Sequence, residues 1–223
     1  GRVASDGWAC WAFSNHDVMR HASRWGAAEK DRDAYLKVVS ALLMSLRGSV
    51  CLYQGEELGL TEAQLRFEDL QDPYGIRFWP EFKGRDGCRT PMVWDRSENG
   101  GFSASKPWLP VPAEHLARAV GEQQGKDDSM LEHYRRFLAF RRGHPALAKG
   151  DIEFLAADGD VVAFTRTHGN ERLACVFNLG SSPAEIGLGV GSAEPLGGHG
   201  LPGGIEAGKI KPNSFWAGVG RLA

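Results

Sequence analysis

Asn15-His16-Asp17 comes directly after the apolar run Trp8-Ala9-Cys10-Trp11-Ala12-Phe13, with Ser14 between them. A carboxylate and an imidazole delivered side by side at the end of a buried strand suit a site that stabilises positive charge and hydrogen-bonds hydroxyls. Cleavage of a glycosidic bond builds such charge on a sugar ring. A structural reading of the same tripeptide stands beside this one: Asp17 caps the following segment and His16 packs against the strand. The second cluster is Gly84-Arg85-Asp86-Gly87-Cys88-Arg89-Thr90-Pro91-Met92-Val93-Trp94. Its two arginines, four apart in a Gly- and Pro-locked loop, present planar multi-donor groups suited to hydroxyls and carboxylates. The alternative is an Arg85-Asp86 and Arg89 ion-pair network that holds the loop. The third cluster, Gln54-Gly55-Glu56-Glu57, brings carboxylates to a second strand tip and reads as a loop brace.

The elements that position these residues follow from periodicity. Residues 8–13 read as a buried strand with polar groups at its C-terminal end. Asp31 to Arg47 reads as a helix, with Tyr35, Val38, Val39, Leu42, Leu43 and Leu46 at helical spacing and Gly48 just past its end. Ser49-Val50-Cys51-Leu52-Tyr53 reads as a second strand, so the order strand–helix–strand makes a parallel βαβ unit. Gly59 to Asp128 shows no long helix or strand pattern and carries six prolines and Trp79, Trp94 and Trp108. A stretch of that length without regular structure is functional. Ser129 opens another helix with Glu132 as the far half of a capping box, and Gly143-His144-Pro145 ends it. The cluster Arg135, Arg136, Arg141 and Arg142 reads as a solvated face or as donors to carbonyls near that end. After Gly150 the texture changes to short β-branched and aromatic runs separated by Asp158-Gly159 and His168-Gly169-Asn170, and the chain ends near Phe215-Trp216. Two domains are expected, residues 1–150 and residues 151–223, the second a small antiparallel β domain.

Composition narrows the class. Hydrophobic content of 42% and charged content of 24% are ordinary for a globular protein. A formal net charge of −2 argues against nucleic acid or an anionic membrane as the main partner, and no apolar run approaches a membrane span. The chain opens on Gly1 without a basic stretch and apolar core, so it does not read as a signal peptide, and the true start is expected upstream. Cys10, Cys51, Cys88 and Cys175 are scattered without CxxC pairing and read as reduced, mostly buried thiols of a cytoplasmic protein. No cofactor and no metal is expected.

Three segments, Phe13-Ser14-Asn15-His16-Asp17, Leu52-Tyr53-Gln54-Gly55-Glu56-Glu57-Leu58-Gly59 and Gly84 to Trp94, occur in this order and at matching separations in the alpha-amylase superfamily, glycoside hydrolase family 13. Within it they most resemble the bacterial alpha-glucosidases, including oligo-1,6-glucosidase-like enzymes. Asn15-His16-Asp17-Val18-x-Arg20-x-x-Ser23-Arg24-Trp25 and Leu70-Gln71-Asp72-Pro73-Tyr74-Gly75 resemble further the proteobacterial alpha-glucosidases that act on short maltose-like substrates. The resemblance is strong over residues 8–150 and generic beyond.

It implies an α/β fold: the C-terminal part of a (β/α)8 barrel, with its last two strands and helices, followed by a small antiparallel β-sandwich. It implies that Asp17 is the family's third carboxylate, a transition-state stabiliser, with His16, Arg85 and Arg89 binding substrate. The family's nucleophilic Asp and acid Glu follow earlier strands, in motifs this sequence lacks. Retaining hydrolysis needs two such carboxyls about 5–5.5 Å apart. The expectation is therefore a retaining alpha-glucosidase acting on short maltose-like oligosaccharides, cut upstream, inactive as this segment alone and completed by a missing N-terminal half of the barrel. The alternatives are a transglycosylase or sugar isomerase on the same scaffold, and a catalytically silent transporter-associated relative, which has no reason to keep His16, Asp17 and Arg85.

Overall fold

The computed structural model describes residues 7–184, 186–187, 193–201, 209–210 and 216–222. Compactness cuts across the expected boundary near residue 150. One unit gathers residues 1–11, 30–51 and 133–223, and the other gathers residues 12–29 and 52–132. The chain leaves the first unit for the second immediately after each of its two parallel strands.

In the first unit, β1 (Cys10–Trp11) pairs in parallel with β2 (Ser49–Val50), with Cys10 opposite Ser49 and Trp11 opposite Val50. This is the expected βαβ pairing, but not the expected burial. Trp8 and Trp11 are exposed, as are Cys10 and Cys51, while Cys88 and Cys175 are buried; all four thiols are free. Each of the two strands has one hydrogen-bonded neighbour among the described residues, so the pair has open edges.

The long crossover helix runs Arg32–Ser45, where Asp31 caps the start by accepting from the Ala34 amide at 3.4 Å. Its C-terminal end is closed by arginines. Arg141 donates to the Met44 carbonyl, and at 2.9 Å to that of Gly48. Fully buried Arg166 donates to the Ser45 carbonyl, and at 2.8 Å to that of Gly150. Two cations thus satisfy carbonyls that a helix end leaves unpaired, at the negative pole of its dipole. Of the arginines near the chain's second long helix, Arg141 takes the carbonyl role that the sequence suggested.

That second helix runs Met130–Gly143, and the short helix Pro145–Lys149 follows it. Then β3 (Asp151–Asp158), β4 (Val161–His168) and β5 (Glu171–Asn178) form a meander with two-residue turns at Gly159-Asp160 and Gly169-Asn170. Both turn glycines have positive φ, +55° and +56°, the left-handed geometry of tight hairpins. β6 (Ile186–Gly187), β7 (Ala193–Pro195), β8 (Lys209–Ile210) and β9 (Trp216–Leu222) follow. The main sheet is antiparallel in the order β3-β4-β5-β9-β7, and β6 and β8 form a separate ribbon. Val161, Ala163, Ala174, Val176, Ala193 and Leu222 cluster on one face. Helices Arg32–Ser45 and Pro145–Lys149 pack on this sheet, which groups residues 30–51 with it. Phe215 lies outside the described residues.

The second unit has no helix longer than five residues among those described: His21–Arg24, Pro73–Arg77, Ala113–Leu116 and Val120–Gln123, with several 3-10 turns. It folds round an apolar cluster of Leu58, Leu60, Val93, Ala119 and Leu131. Side chains replace the missing ladders: Gln123 donates to the carbonyls of Leu58 at 3.0 Å and Arg118 at 2.8 Å. Half of the expected capping box forms, with the Glu132 amide donating to Ser129 Oγ at 3.2 Å. The Glu132 carboxylate accepts instead from the Gly125 amide at 2.9 Å.

Candidate functional site

The site is built upward from Ser14. Its buried hydroxyl accepts from the His21 amide at 2.9 Å and lies 3.0 Å from His21 Nδ1, which fixes the chain as it turns. The Asn15 side-chain oxygen accepts from the Asp17 amide at 2.8 Å, an Asx turn that aims the next carboxylate outward. Asp17 Oδ1 accepts from Arg85 Nη1 at 3.0 Å and from Arg89 Nη2 at 3.1 Å. Asp17 Oδ2 lies 3.3 Å from His16 Nε2, and Arg89 Nε donates to the His16 carbonyl at 2.7 Å. The fold therefore brings all four predicted residues together across sequence separations of 68 to 73. The capping reading of Asp17 does not hold: the residue at the start of helix His21–Arg24 is Arg20, whose side chain makes no capping hydrogen bond, and the first amide, that of His21, goes to Ser14 Oγ.

Arg85 has a second set of partners. Its Nε and Nη2 donate to Asp72 Oδ2 and Oδ1 at 2.9 and 3.0 Å, and its amide donates to Asp72 Oδ2 at 2.8 Å. Asp72 also caps helix Pro73–Arg77 by accepting from the Tyr74 amide, and is only 1% exposed. Asp86 does not pair with Arg85; its buried Oδ2 accepts from the amides of Gln71 and Asp72 at 2.6 and 2.7 Å. Gly84 stands where a side chain cannot: φ is +76°, and a Cβ would meet Asp72 Oδ2 at 2.9 Å.

Beneath the site, fully buried Arg20 donates to the carbonyls of Gln54 at 2.5 Å and Cys88 at 2.9 Å, while its amide donates to Glu62 Oε2 at 3.0 Å. Tyr53 stacks on the Arg20 guanidinium at 5.2 Å and donates to the same Cys88 carbonyl. Glu56 is buried with Oε1 3.6 Å from His21 Nδ1, and neither of its carboxylate oxygens has a hydrogen-bond partner among the described residues. In the sequence, Asp72 and Arg20 stand out only as parts of motifs, and Asp86 only as a loop partner of Arg85, not as members of the site. Asp72 before Pro73 is a legible helix start, but its partner Arg85 is 13 residues away and no local signal names it.

Charge follows the geometry. At Asp17 partial desolvation favours the protonated form, but the Arg85 hydrogen bond and the charges of His16, Arg85 and Arg89 outweigh it and hold the carboxyl below its usual range. The Arg85 hydrogen bond, working against burial, brings Asp72 down to about 2. Asp72 in turn raises Arg85 above the ordinary arginine range. At neutral pH Asp17 is thus an anion that accepts hydrogen bonds and has no proton to give. Among the described residues, no group of three or more His, Cys, Asp or Glu is placed to hold a metal ion.

Residues 2–150 match the model of the alpha amylase catalytic domain. The chain is 56% identical over 222 residues to a probable alpha-glucosidase of Rhizobium meliloti, covering 100% of this chain and 40% of that protein. It is 31% identical over 192 residues to the oligo-1,6-glucosidase of Parageobacillus thermoglucosidasius, covering 78% of this chain and 34% of that protein. The crystal structure of the alpha-glucosyl transfer enzyme XgtA superposes with a TM-score of 0.92 at 48% identity, over 97% of this chain and 41% of that one. The chain thus spans about two fifths of the length of the relatives it matches. On the match over residues 2–150, the chain belongs to the alpha-amylase catalytic-domain family.

Proposed function

We propose that this chain is the C-terminal part of a retaining alpha-glucosidase, and that β1 and β2 are the last two strands of its (β/α)8 barrel. The segment from residue 151 is its C-terminal β domain, which the five-stranded sheet and the β6–β8 ribbon support as a sandwich. The observation that carries the reading is the ionised Asp17, held between two guanidiniums beside an exposed imidazole just beyond a parallel strand. An anion fixed there stabilises the oxocarbenium-like charge of glycosidic cleavage and accepts from sugar hydroxyls. Because Asp17 has no proton to donate, it is not the acid; as the counterpart of the family's third carboxylate it is not the nucleophile either, and we place both of those carboxyls in the barrel upstream. His16 donates to a substrate hydroxyl, Arg85 holds the non-reducing end and Arg89 forms the pocket wall. The substrate is a short maltose-like oligosaccharide, the enzyme is cytoplasmic and the reaction calls for no cofactor.

The test is the complete enzyme encoded with this segment, incubated with maltose and with isomaltose while the released glucose is followed by NMR. An initial excess of alpha-glucose over the anomeric mixture contributed by the reducing-end sugar supports the reading; an excess of beta-glucose, or no turnover, overturns it. The likeness to XgtA, named an alpha-glucosyl transfer enzyme, favours transfer as the second reading. Water and an acceptor sugar compete for one glycosyl-enzyme, so the ratio of glucose to transfer product against acceptor concentration separates the two.

A further inference from the structure

We propose that Asp72 is a positioning residue of this site: it decides which donor of Arg85 faces Asp17, and through that how tightly the terminal sugar is held. The inference rests on the functional reading above. Of the Arg85 side-chain donors, Asp72 takes Nε and Nη2 in a bidentate fork at 2.9 and 3.0 Å and leaves Nη1 to reach Asp17 at 3.0 Å. A guanidinium gripped on two sides in one plane cannot swing, so the direction of Nη1 is inherited from Asp72. Asp72 is itself fixed from behind, because Asp86 holds its amide and the Tyr74 amide holds its Oδ1. Gly84 admits the close approach, since a Cβ there would collide with Asp72 Oδ2 and with Gly75 Cα. Asp72 is buried and faces Arg85, so it has no direct part in binding sugar; its effect runs through Arg85 alone.

A brace for the fold would make the same contacts, so the experiment separates the two roles by coupling. In the complete enzyme, Asp72→Asn keeps the side-chain shape and removes the charge that grips Arg85. Asp72→Ser keeps an acceptor for the Tyr74 amide and removes the fork altogether. Each is measured alone and in an Arg85→Lys background, with maltose as substrate and Tm read for every variant. The expected result is a kcat/KM lower by roughly tenfold or more, mostly in KM, when Arg85 is present, and by at most about twofold when it is Lys. Equal losses in both backgrounds, unchanged kinetics, or failure of both variants to fold would overturn the proposal in favour of a structural brace. If the unmodified complete enzyme turned over no alpha-glucoside, the functional reading itself would fall, which is a separate outcome.

Discussion

Asp17 takes two guanidinium donors on one oxygen and leaves the other beside His16, so the negative charge is well placed and firmly held. Asp17→Asn in the complete enzyme preserves shape and removes charge. We expect kcat to fall by roughly 10²–10³, the loss seen when one preorganised electrostatic stabiliser is removed, with little change in Tm. A Tm that falls in step with activity would assign Asp17 to the fold instead. Arg85→Lys tests the neighbouring group. A lysine cannot grip Asp72 with two nitrogens and reach Asp17 with a third. Loss of one charge-assisted hydrogen bond of ~1.5–3 kcal/mol predicts a kcat/KM lower by roughly 10–100-fold, and kinetics indistinguishable from the parent would reduce Arg85 to a loop brace.

Among the elements, the two long helices depend on buried polar groups that periodicity does not reveal. Arg166 on β4 closes the C-terminal end of helix Arg32–Ser45 from a fully buried position, and burial brings its pKa down to about 10. Arg166→Leu fills the space but leaves the Ser45 and Gly150 carbonyls unpaired, a cost of about 2–4 kcal/mol, read as a lower denaturation midpoint in urea. His133, on the helix Met130–Gly143, is fully buried with its Nε2 3.0 Å from Ser40 Oγ, and burial pushes its pKa down to about 3. The unfolded imidazole titrates near 6.5, so between those values the unfolded state takes the proton that the folded state refuses. Stability is therefore full above about pH 6.5 and falls as pH drops toward 3, by about 1.4 kcal/mol per pH unit. His133→Leu should flatten urea midpoints measured from pH 7 to pH 4; an unchanged slope would mean that other groups carry the acid sensitivity.

On the scale of the whole molecule, a retaining hydrolysis needs a nucleophile and an acid, and in the proposed reading Asp17 supplies neither. The nearby carboxylates Asp72 and Asp86 are buried and already engaged by amides, with Arg85 also held on Asp72. Residues 1–223 expressed alone are expected not to hydrolyse maltose or a nitrophenyl alpha-glucoside, and to associate through the open edges of the β1–β2 pair. Turnover within tenfold of the complete enzyme would overturn the placement of the catalytic groups. A cooperative, monomeric melt would overturn the open-edge argument.

The sequence by itself determined the local elements and the family. Helical spacing from Tyr35 to Leu46, the Asp31 and Ser129 starts, the hairpin turns and the three ordered motifs are short-range patterns, and periodicity and turn chemistry report short range. It also named Asp17, His16, Arg85 and Arg89, because the motifs carry them. Only the tertiary structure decided what each of them touches. The Asp72 grip on Arg85, the Arg20 ties to Gln54 and Cys88 and the Arg166 closure of a distant helix end join residues 13 to 121 apart. Burial was equally hidden, since whether Trp11 or Cys51 is covered depends on which strands lie beside it, and an apolar residue reads the same in either case. A buried cation needs a carbonyl or a carboxylate in the right place, and the folded chain, not the spacing of letters along it, puts one there.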